Sequence, residues 1–383
     1  MTDRAAIARS AAAGLRRYAD GIGQTPVMVG FDGFVDSIIN VVDTRQDADT
    51  FTTIPTIERF GQKVLAAAGQ SSNFELVTTL EKLGGNGPIM ANALAAQGFK
   101  VTYVGALGYP AVHPVFDELA HRSTVLSFSN PGFTDALEFT DGKLMLGKHA
   151  TLKDIHIDRL LETIGADQFH AVIAQSQLLA MVNWTMLTST NTIWEYLIAK
   201  VLPKVAPASG TGRKLVFIDL ADPEKRPRED LLEAVKLCGR FQPYADVTLG
   251  MNLKESTQVA EVLGIKVEGD AESRIEDTAR RIREALQLTT VVIHPRKGAA
   301  AATLKDGKVE SGLFLGPFVK EPKLSTGAGD NFNAGFVLGQ LAGLPITECL
   351  CTGTASSGFY VRNAASGSLA DLATFCDDLP PPQ

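Results

Sequence analysis

Short apolar runs recur along the chain, and stretches with helical periodicity separate most of them. The apolar runs cover residues 27–30, 101–104, 171–174, 215–218, 247–249 and 291–293. The clearest helical patterns cover residues 3–20, 89–97 and 273–286. Runs that are apolar throughout, instead of alternating with polar residues, are typical of strands buried on both faces. The order of strands and helices therefore predicts an α/β fold in which helices flank a central, mostly parallel β-sheet.

Three other segments, residues 33–50, 72–83 and 123–152, are rich in residues that favour strands. The pair Asp141-Gly142 separates the short stretches 136–139 and 143–146, and Asp-Gly is a strong signal for a tight hairpin turn. We expect these segments to form a small second β-sheet inserted into the main fold. We expect residues 1–383 to form a single domain.

Bulk composition excludes several classes of function. The chain has 36 Lys and Arg residues against 43 Asp and Glu residues, and the net charge of −7 argues against a general nucleic-acid or anionic-membrane surface. The four cysteines show neither Cys-x-x-Cys pairs nor zinc-ligand spacing, which argues against a disulfide framework or a metal knuckle. No apolar run approaches the roughly 18 residues that span a bilayer. These properties predict a cytoplasmic protein with small-molecule partners.

One glycine-rich stretch, Ser325-Thr-Gly-Ala-Gly-Asp330, is followed at once by an apolar helical pattern. Gly327 and Gly329 flank Ala328, so the backbone is able to turn tightly and to present N–H groups at a helix start, which favours anions. Asp330 closes this cradle and is placed to accept a proton from a hydroxyl group that attacks a phosphoryl group. The alternative is a turn in which Asp330 caps a structural helix. The motif favours phosphoryl transfer.

This hexapeptide resembles the C-terminal signature of the ribokinase-like, or PfkB, family of sugar and nucleoside kinases, which reads Asp-Thr-x-Gly-Ala-Gly-Asp. Gly327 to Asp330 match it fully, and Ser325 is a conservative match for threonine. Leu324 stands where the family usually has aspartate. That aspartate helps the family hold a monovalent cation, so the resemblance does not extend to activation by potassium. Motifs in the family's order span about residues 27–361.

Two carboxylates, Asp32 and Asp36, follow the first predicted strand. In the ribokinase-like family an acidic residue at this point binds sugar hydroxyls, and the resemblance implies Asp36 first and Asp32 second. Gly85 and Asn86 match the family's N-terminal Gly-Gly motif, which implies a helix start close to the substrate, with the Asn86 amide as donor and acceptor. The alternatives are solvated loop aspartates and a plain loop-to-helix junction.

Asn252 and Glu255 match the family's Asn-x-x-Glu motif. A spacing of three on a helical turn places the amide and the carboxylate on one face, where they are able to orient the water shell of a phosphate-bound Mg²⁺. Asp219 ends a predicted strand upstream and is a further candidate to face the metal. The alternative is a solvated helix start.

The segment after the strand at 291–293 lies where relatives carry a nucleotide-binding turn, Thr-x-Gly-x-x-Gly. Only Gly298 matches that pattern, and His294 and Lys297 are candidate phosphate contacts of a different kind. Together with Ser325 of the cradle, these residues are the predicted nucleotide-binding set. Because most of the family's nucleotide-binding turn is missing, the sequence defines the nucleotide less well than it defines the phosphoryl transfer.

The resemblance implies a carbohydrate kinase that transfers the terminal phosphoryl group of ATP to a hydroxyl of a sugar or sugar derivative. Asp330 is the implied general base, Gly327, Ala328 and Gly329 form the implied anion hole, and Mg²⁺ is the implied cofactor. In relatives the small inserted sheet is a lid that also pairs with a second subunit. A homodimer through that sheet is therefore implied.

Several alternatives remain open at the level of sequence. A nucleoside kinase would use the same chemistry on a different acceptor, and an ADP-dependent sugar kinase would use a different donor. A non-catalytic sugar or nucleotide sensor is the alternative of another class. It is favoured by Leu324, by Ile89 where many relatives have asparagine, and by the unusual turn at Pro295. The intact motif at 327–330 argues against the sensor.

Overall fold

The structure is a computed structural model that describes residues 3–205 and 212–382. The sequence also predicts a surface turn at 209–214, of which residues 209–211 lie outside the described part of the chain. The strands are β1 (Pro26–Gly30), β2 (Phe34–Arg45), β3 (Phe51–Thr53), β4 (Leu76–Gly84), β5 (Lys100–Gly105), β6 (Thr124–Ser127), β7 (Gly132–Phe139), β8 (Gly142–Lys148), β9 (Leu178–Val182), β10 (Lys214–Asp219), β11 (Ala245–Met251), β12 (Thr290–Ile293), β13 (Gly298–Lys305) and β14 (Lys308–Leu315).

A large sheet of nine strands runs in the order β14-β13-β12-β11-β10-β9-β1-β5-β6. Every neighbouring pair from β12 to β6 is parallel, and β13 and β14 add an antiparallel hairpin at one edge. β1, β9, β10 and β12 are almost completely buried, as runs without polar alternation require. The predicted α/β fold with a mostly parallel central sheet is confirmed.

A small second sheet is built around β2, which pairs with β3, β4 and β7, while β8 pairs with β7. We call it the small sheet. The predicted hairpin forms between β7 and β8, but Phe139 pairs with Gly142, so the turn residues are Thr140 and Asp141. Residues 124–127, which the sequence assigns to the small sheet, form β6 at the edge of the large sheet, where they pair with β5.

Helices cover both faces of the large sheet, and one more helix packs on the small sheet. They are α1 (Arg4–Ile22), α2 (Ile57–Ala66), α3 (Asn86–Gln97), α4 (Asp117–Arg122), α5 (Ile157–Ile164), α6 (Ala166–Gln175), α7 (Thr190–Tyr196), α8 (Arg228–Gly239), α9 (Leu253–Val262), α10 (Ile275–Leu286), α11 (Ala328–Leu341), α12 (Ile346–Asn363) and α13 (Leu369–Asp377). Buried residues of α5 to α10 pack on one face, and those of α1, α3, α4, α11, α12 and α13 pack on the other, while α2 packs on the small sheet. Within the described ranges, no helix combines the length and the apolar character that a bilayer span requires.

One predicted strand, residues 171–174, is wrong. These residues belong to α6, and the strand of this unit is β9, a few residues further on. A four-residue apolar run does not separate a strand from a buried helical turn by periodicity. Phe169 and Ile173 lie four residues apart and are both buried, which is the spacing of a helix face.

The parallel strands end at a common edge of the large sheet, and several polar residues lie at this edge. Register pairs such as Gly30 with Met181 place the ends of β1 and β9 side by side, and β11 and β12 end level at Met251 and Ile293. We call this side of the large sheet its carboxyl edge. Asp32, Asn183, Asp219, Asn252 and His294 lie at or directly after strand ends there. Ligands of open α/β sheets generally bind at such an edge.

Candidate active site

Two cavities open at the carboxyl edge, and Asn252 lines both of them. The first, of about 420 Å³, lies between the small sheet and the carboxyl edge, and we call it the small-sheet cavity. The second, of about 350 Å³, lies beside the start of α11, and we call it the α11 cavity. A larger cavity of about 500 Å³ lies beside Lys214 and Thr290, at the opposite edge of the sheet, and is remote from the predicted chemistry.

Asp32 is the centre of a buried hydrogen-bond network. Its Oδ1 accepts the N–H of Gly87 at 2.8 Å, and its Oδ2 accepts the N–H of Asn86 at 3.0 Å and the Nδ2 of Asn183 at 2.7 Å. Burial raises the pKa of Asp32 to about 6, and the hydrogen bonds from Asn183, Gly87 and Asn86 oppose that rise. Asp32 is completely inaccessible, so it holds the start of α3 in place and presents no surface to the small-sheet cavity.

The glycines before α3 are explained by these carboxylates. A Cβ atom on Gly84 would lie 2.5 Å from the carboxylate carbon of Asp36. A Cβ atom on Gly87 would lie 2.5 Å from Asp32 Oδ1 and 2.5 Å from the Tyr103 hydroxyl. Real Cβ atoms do not approach other atoms so closely, and the close approach therefore requires glycine. The Gly-Gly motif thus folds tightly around both carboxylates that follow β1.

Asp36 lies in β2 between Lys82 of β4 and Thr134 of β7, and it lines the small-sheet cavity. Burial raises the pKa of Asp36, while the charge of Lys82, a hydrogen bond from Thr134 and the charge of Lys143 oppose the rise. The sequence leaves open which of two carboxylates contacts a substrate. In the structure Asp36 lines the cavity, whereas Asp32 is buried and holds the start of α3 and Asn183 by hydrogen bonds.

Asp330 joins this network across a long span of sequence. The Asn86 Nδ2 donates to Asp330 Oδ1 at 2.9 Å, although the two residues are 244 positions apart. Burial raises the pKa of Asp330 to about 7, the hydrogen bond from Asn86 opposes the rise, and the negative charges of Asp32 and Glu255 add to it. A buried carboxyl group with a pKa near neutrality suits a general acid–base role.

The start of α11 has the backbone geometry that the predicted anion cradle requires. Gly327 caps the helix with a φ of 91°, a left-handed conformation that glycine adopts without strain. The N–H of Ala328 donates to the Ser325 carbonyl at 3.2 Å, so it is already occupied. In the described part of the chain, the N–H groups of Gly327 and Gly329 have no such partner. These two groups lie next to Asp330 and are available to an anion, and their role as an anion hole stays a prediction.

A sequence profile of prokaryotic ketohexokinases matches residues 3–379 of the chain. The chain belongs to the prokaryotic ketohexokinase family. The ketohexokinase of Haloferax volcanii is 28% identical over 353 residues, which cover 91% of this chain and 90% of that protein. The kinase is therefore a sugar kinase, a phosphotransferase, and the predicted resemblance to ribokinase-like carbohydrate kinases is confirmed.

Solved structures share the fold of the kinase at low sequence identity. Arabidopsis thaliana ribokinase, solved with ribose and ATP, matches with a TM-score of 0.62 at 15% identity, covering 92% of this chain and 98% of that one. The adenosine kinase of Sinorhizobium meliloti matches with a TM-score of 0.60 at 17% identity, covering 92% of this chain and 98% of that one. Because sugar and nucleoside kinases share this fold, the fold alone does not select the acceptor.

The Asn-x-x-Glu motif of the kinase caps α9. The Asn252 N–H donates to Glu255 Oε2 at 2.8 Å, and the Glu255 N–H donates to Asn252 Oδ1 at 3.0 Å, which is a capping box. Glu255 Oε1 also accepts the N–H of Asp222 at 3.0 Å. This helix start is buried, with Glu255 only 4% exposed, so it is not the solvated helix start of the alternative interpretation.

Asp219 and Glu255 form a buried acidic pair behind Asp330. Burial raises the pKa of both groups, and the negative charges of Asp330 on Asp219 and of Asp219 on Glu255 raise them further. Asn333 donates to Asp219 at 2.7 Å, and the charge of Lys254 acts on Glu255, but neither carboxylate forms a salt bridge with a described residue. Buried oxygen donors without a salt-bridge partner suit a hard, hydrated cation such as Mg²⁺.

The described residues contain no cluster of three His, Cys, Asp or Glu side chains arranged to bind a metal directly. Mg²⁺ usually keeps several waters and takes its remaining ligands from substrate phosphates. Asn252, which lines both cavities, and Glu255 are the residues that would hold such a hydrated ion. Their role through water stays a prediction.

The α11 cavity contains the predicted nucleotide residues His294, Gly298 and Ser325. The His294 ring packs on Phe332 with 4.5 Å between centroids, and burial lowers the pKa of His294 to about 4, so the imidazole is neutral. Lys297 instead lies over Phe318, with Nζ 5.9 Å from the ring centroid. The cavity is also lined by apolar residues, Pro317, Phe318, Val319, Pro322 and Val361.

Sequence reasoning missed several residues that line the small-sheet cavity. They are Phe34, Thr134, Met145, His149, Asn183, Met186, Asp222 and Lys225. Asn183 directly follows β9, so placing that strand correctly would have marked it as a carboxyl-edge residue. The residues on β7 and β8 carry no motif, and only the folded small sheet brings them to the cavity.

Proposed function

We propose that the kinase transfers the terminal phosphoryl group of ATP to a hydroxyl group of a ketohexose. The observation that carries this proposal is the hydrogen bond from the side chain of Asn86, which lines the small-sheet cavity, to Asp330 beside the anion cradle. Membership of the prokaryotic ketohexokinase family supports a ketohexose as acceptor. The similar ribokinase solved with ribose and ATP supports ATP as donor.

Asp330 is the proposed general base. Its Oδ1 is held by the Asn86 amide, which leaves Oδ2 to accept the proton of the attacking sugar hydroxyl. The sugar oxygen forms a bond to the terminal phosphorus, the bond from that phosphorus to the bridging oxygen breaks, and ADP leaves with the electron pair. The released proton ends on Asp330. The free N–H groups of Gly327 and Gly329 stabilise charge on the transferred group.

Each of the two cavities binds one substrate. The ketohexose occupies the small-sheet cavity, where Asp36 and Asn86 bind its hydroxyls, and the small sheet acts as a lid that excludes water. ATP occupies the α11 cavity, with its phosphates near His294, Ser325 and the cradle and its base against apolar lining residues such as Phe318 and Val361. When bound, Mg²⁺ neutralises charge on the phosphates, and Asn252 and Glu255 would hold its water shell.

The acceptor and the donor are tested together by steady-state kinetics. We expect kcat/KM with Mg-ATP to be at least about 100-fold higher for D-fructose than for D-ribose or adenosine, since a buried hydrogen-bonding site rejects poorly matched analogues strongly. ADP in place of ATP should give no turnover. A preference for adenosine would replace the proposed acceptor by a nucleoside, and turnover with ADP alone would replace the proposed donor.

The raised pKa of Asp330 predicts a pH dependence. A general base must be ionised, so kcat/KM should rise about tenfold per pH unit below pH 7 and level off above it. An unshifted carboxyl group would level off near pH 4. The measurement is kcat/KM for D-fructose between pH 5 and 9 at saturating Mg-ATP. A profile that is flat from pH 5 to 8 would contradict a base with this pKa.

We also propose that the kinase forms a homodimer through the small sheet. Leu76 and Leu80 of β4 and Met145 and Leu146 of β8 are each about half exposed, and sheet edges with apolar side chains are usually covered. Light scattering should give twice the monomer mass of 40.9 kDa. Leu80→Glu should give a monomer, whereas Leu304→Glu, at an exposed leucine of the large sheet, should stay dimeric.

A further inference from the structure

We propose that Asn183 recognises one hydroxyl group of the sugar through its amide oxygen and thereby sets which ketohexoses the kinase accepts. This inference rests on the proposed function of the small-sheet cavity. Asn183 directly follows β9 at the carboxyl edge, lines that cavity, and is only 3% exposed. No sequence motif marks it, and its role emerges from three structural observations.

The first observation is the orientation of the amide. Asp32 already accepts hydrogen bonds from the N–H groups of Asn86 and Gly87, so its carboxylate acts as an acceptor. Asn183 must therefore present its amino group to Asp32, and its Nδ2 donates to Asp32 Oδ2 at 2.7 Å. This contact fixes the orientation of the Asn183 amide, so that Oδ1 points away from Asp32.

The second observation is that Asn183 Oδ1 is buried and accepts no hydrogen bond from the described residues. Buried polar atoms almost always have a partner, and an exception in a cavity calls for a ligand that supplies one. The missing partner must be a donor. A sugar hydroxyl is a donor of suitable size, whereas a carboxylate or phosphate oxygen offers no proton and would repel Oδ1.

The third observation is the backbone of Asn183, which has a φ of 62°. This left-handed conformation is uncommon outside glycine, although asparagine tolerates it better than most residues. Such conformations tend to occur at functional sites, where the surroundings hold them. Asn183 adopts this conformation directly after β9, and its side chain lines the small-sheet cavity.

Hydrogen bonds connect Asn183 to the proposed base. Asn183 and Asn86 both donate to Asp32 Oδ2, and the Asn86 side chain donates to Asp330. A hydroxyl held at Asn183 Oδ1 is therefore fixed relative to the carboxylate that deprotonates another hydroxyl of the same sugar. A site of this kind discriminates strongly, because a sugar without that hydroxyl leaves the buried amide oxygen unpaired.

The test combines Asn183→Gly with monodeoxy derivatives of D-fructose. Glycine adopts a φ of 62° without strain, so this variant removes the amide and keeps the backbone. We expect kcat/KM for D-fructose to fall about 10- to 100-fold in the variant. For the one deoxy sugar that lacks the recognised hydroxyl, wild type and variant should have the same kcat/KM within about twofold. The epimers at C3, C4 and C5, D-psicose, D-tagatose and L-sorbose, should identify the same carbon.

Gln287→Gly is the matched control. Gln287 also carries an amide at a left-handed position, with a φ of 54°, but it ends α10 at the surface away from the carboxyl edge. This variant should keep wild-type kcat/KM for every sugar. Thermal melting of both variants reports on folding. If Asn183→Gly melts more than about 10 °C below wild type, Asn183→Ser replaces it in the same kinetic comparison of D-fructose with its deoxy derivatives.

Two results would overturn the inference. One is an equal loss for D-fructose and for every deoxy sugar, which would make Asn183 a purely structural support of Asp32. The other is an unchanged kcat/KM for D-fructose in the variant. If the wild-type kinase phosphorylates a nucleoside or an aldose instead of a ketohexose, the proposed acceptor is wrong. The same kinetic comparison with deoxy forms of that acceptor would still decide the role of Asn183.

Discussion

Asp330→Asn is expected to lower kcat by about 10²- to 10⁴-fold, because it removes the group that accepts the proton of the attacking hydroxyl. The amide keeps the size of the carboxyl group and is still able to pair with the Asn86 side chain, which donates to Asp330 Oδ1 at 2.9 Å. The geometry of the cradle beside Gly329 should therefore persist. The measurement is kcat with D-fructose and Mg-ATP at pH 8.

The loss must come from chemistry and not from unfolding or lost binding. The pKa of Asp330 is raised from 3.8 to about 7, which means that its ionised form disfavours the folded state as the pH rises through this range. The Asn variant should therefore be at least as stable as wild type at pH 8. Calorimetry should show an ATP affinity within about threefold of wild type. Near-normal turnover by the variant would contradict the assignment of the base.

Asp32→Ala is expected to lower the free energy of unfolding by about 3 kcal/mol, because it leaves several buried donors without an acceptor. These donors are the N–H groups of Asn86 and Gly87 and the amide of Asn183. The start of α3 should loosen as a result. The measurement is chemical denaturation of the variant and of wild type at pH 7.

Asp36→Ala is the matched comparison, since it removes the carboxylate that faces the small-sheet cavity. Its free energy of unfolding should change by less than about 1 kcal/mol, while its KM for D-fructose should rise about 10-fold or more through the loss of a charged hydrogen bond. The opposite pattern, with Asp32→Ala stable but weak in sugar binding and Asp36→Ala unstable, would reverse the roles that the structure gives to these two residues.

The architecture was predictable because it depends on local patterns. Apolar runs without alternation indicate buried parallel strands, and only the strand at 171–174 was wrong, since a helical turn with Phe169 and Ile173 buried has the same composition. The edge position of β6 was not predictable, because its four residues resemble those of the small sheet. Which sheet a short strand joins is decided by pairing with β5, a long-range contact.

The site was predictable where a motif fixes the backbone. Gly327 starts the helix and Asp330 supplies the carboxylate only three positions later, so the sequence alone places them together. The roles of Asp32 and Asp36 could not be separated in the same way. The difference between them is burial, and burial depends on Gly84 and Gly87 folding against them from another part of the chain. The position of the Asn183 side chain likewise depends on a long-range contact, the hydrogen bond that it donates to Asp32.

The central claim is that Asp330 directs the terminal phosphoryl group of ATP to a ketohexose. It is tested most directly by mixing excess wild-type or Asp330→Asn kinase with ATP labelled in the terminal phosphate, Mg²⁺ and D-fructose, and by following the label in a single turnover. We expect rapid transfer of the label to the sugar by wild type, with transfer slowed about 10²- to 10⁴-fold in the variant. Label that appears only as inorganic phosphate, or that reaches the sugar equally fast in both proteins, would contradict it.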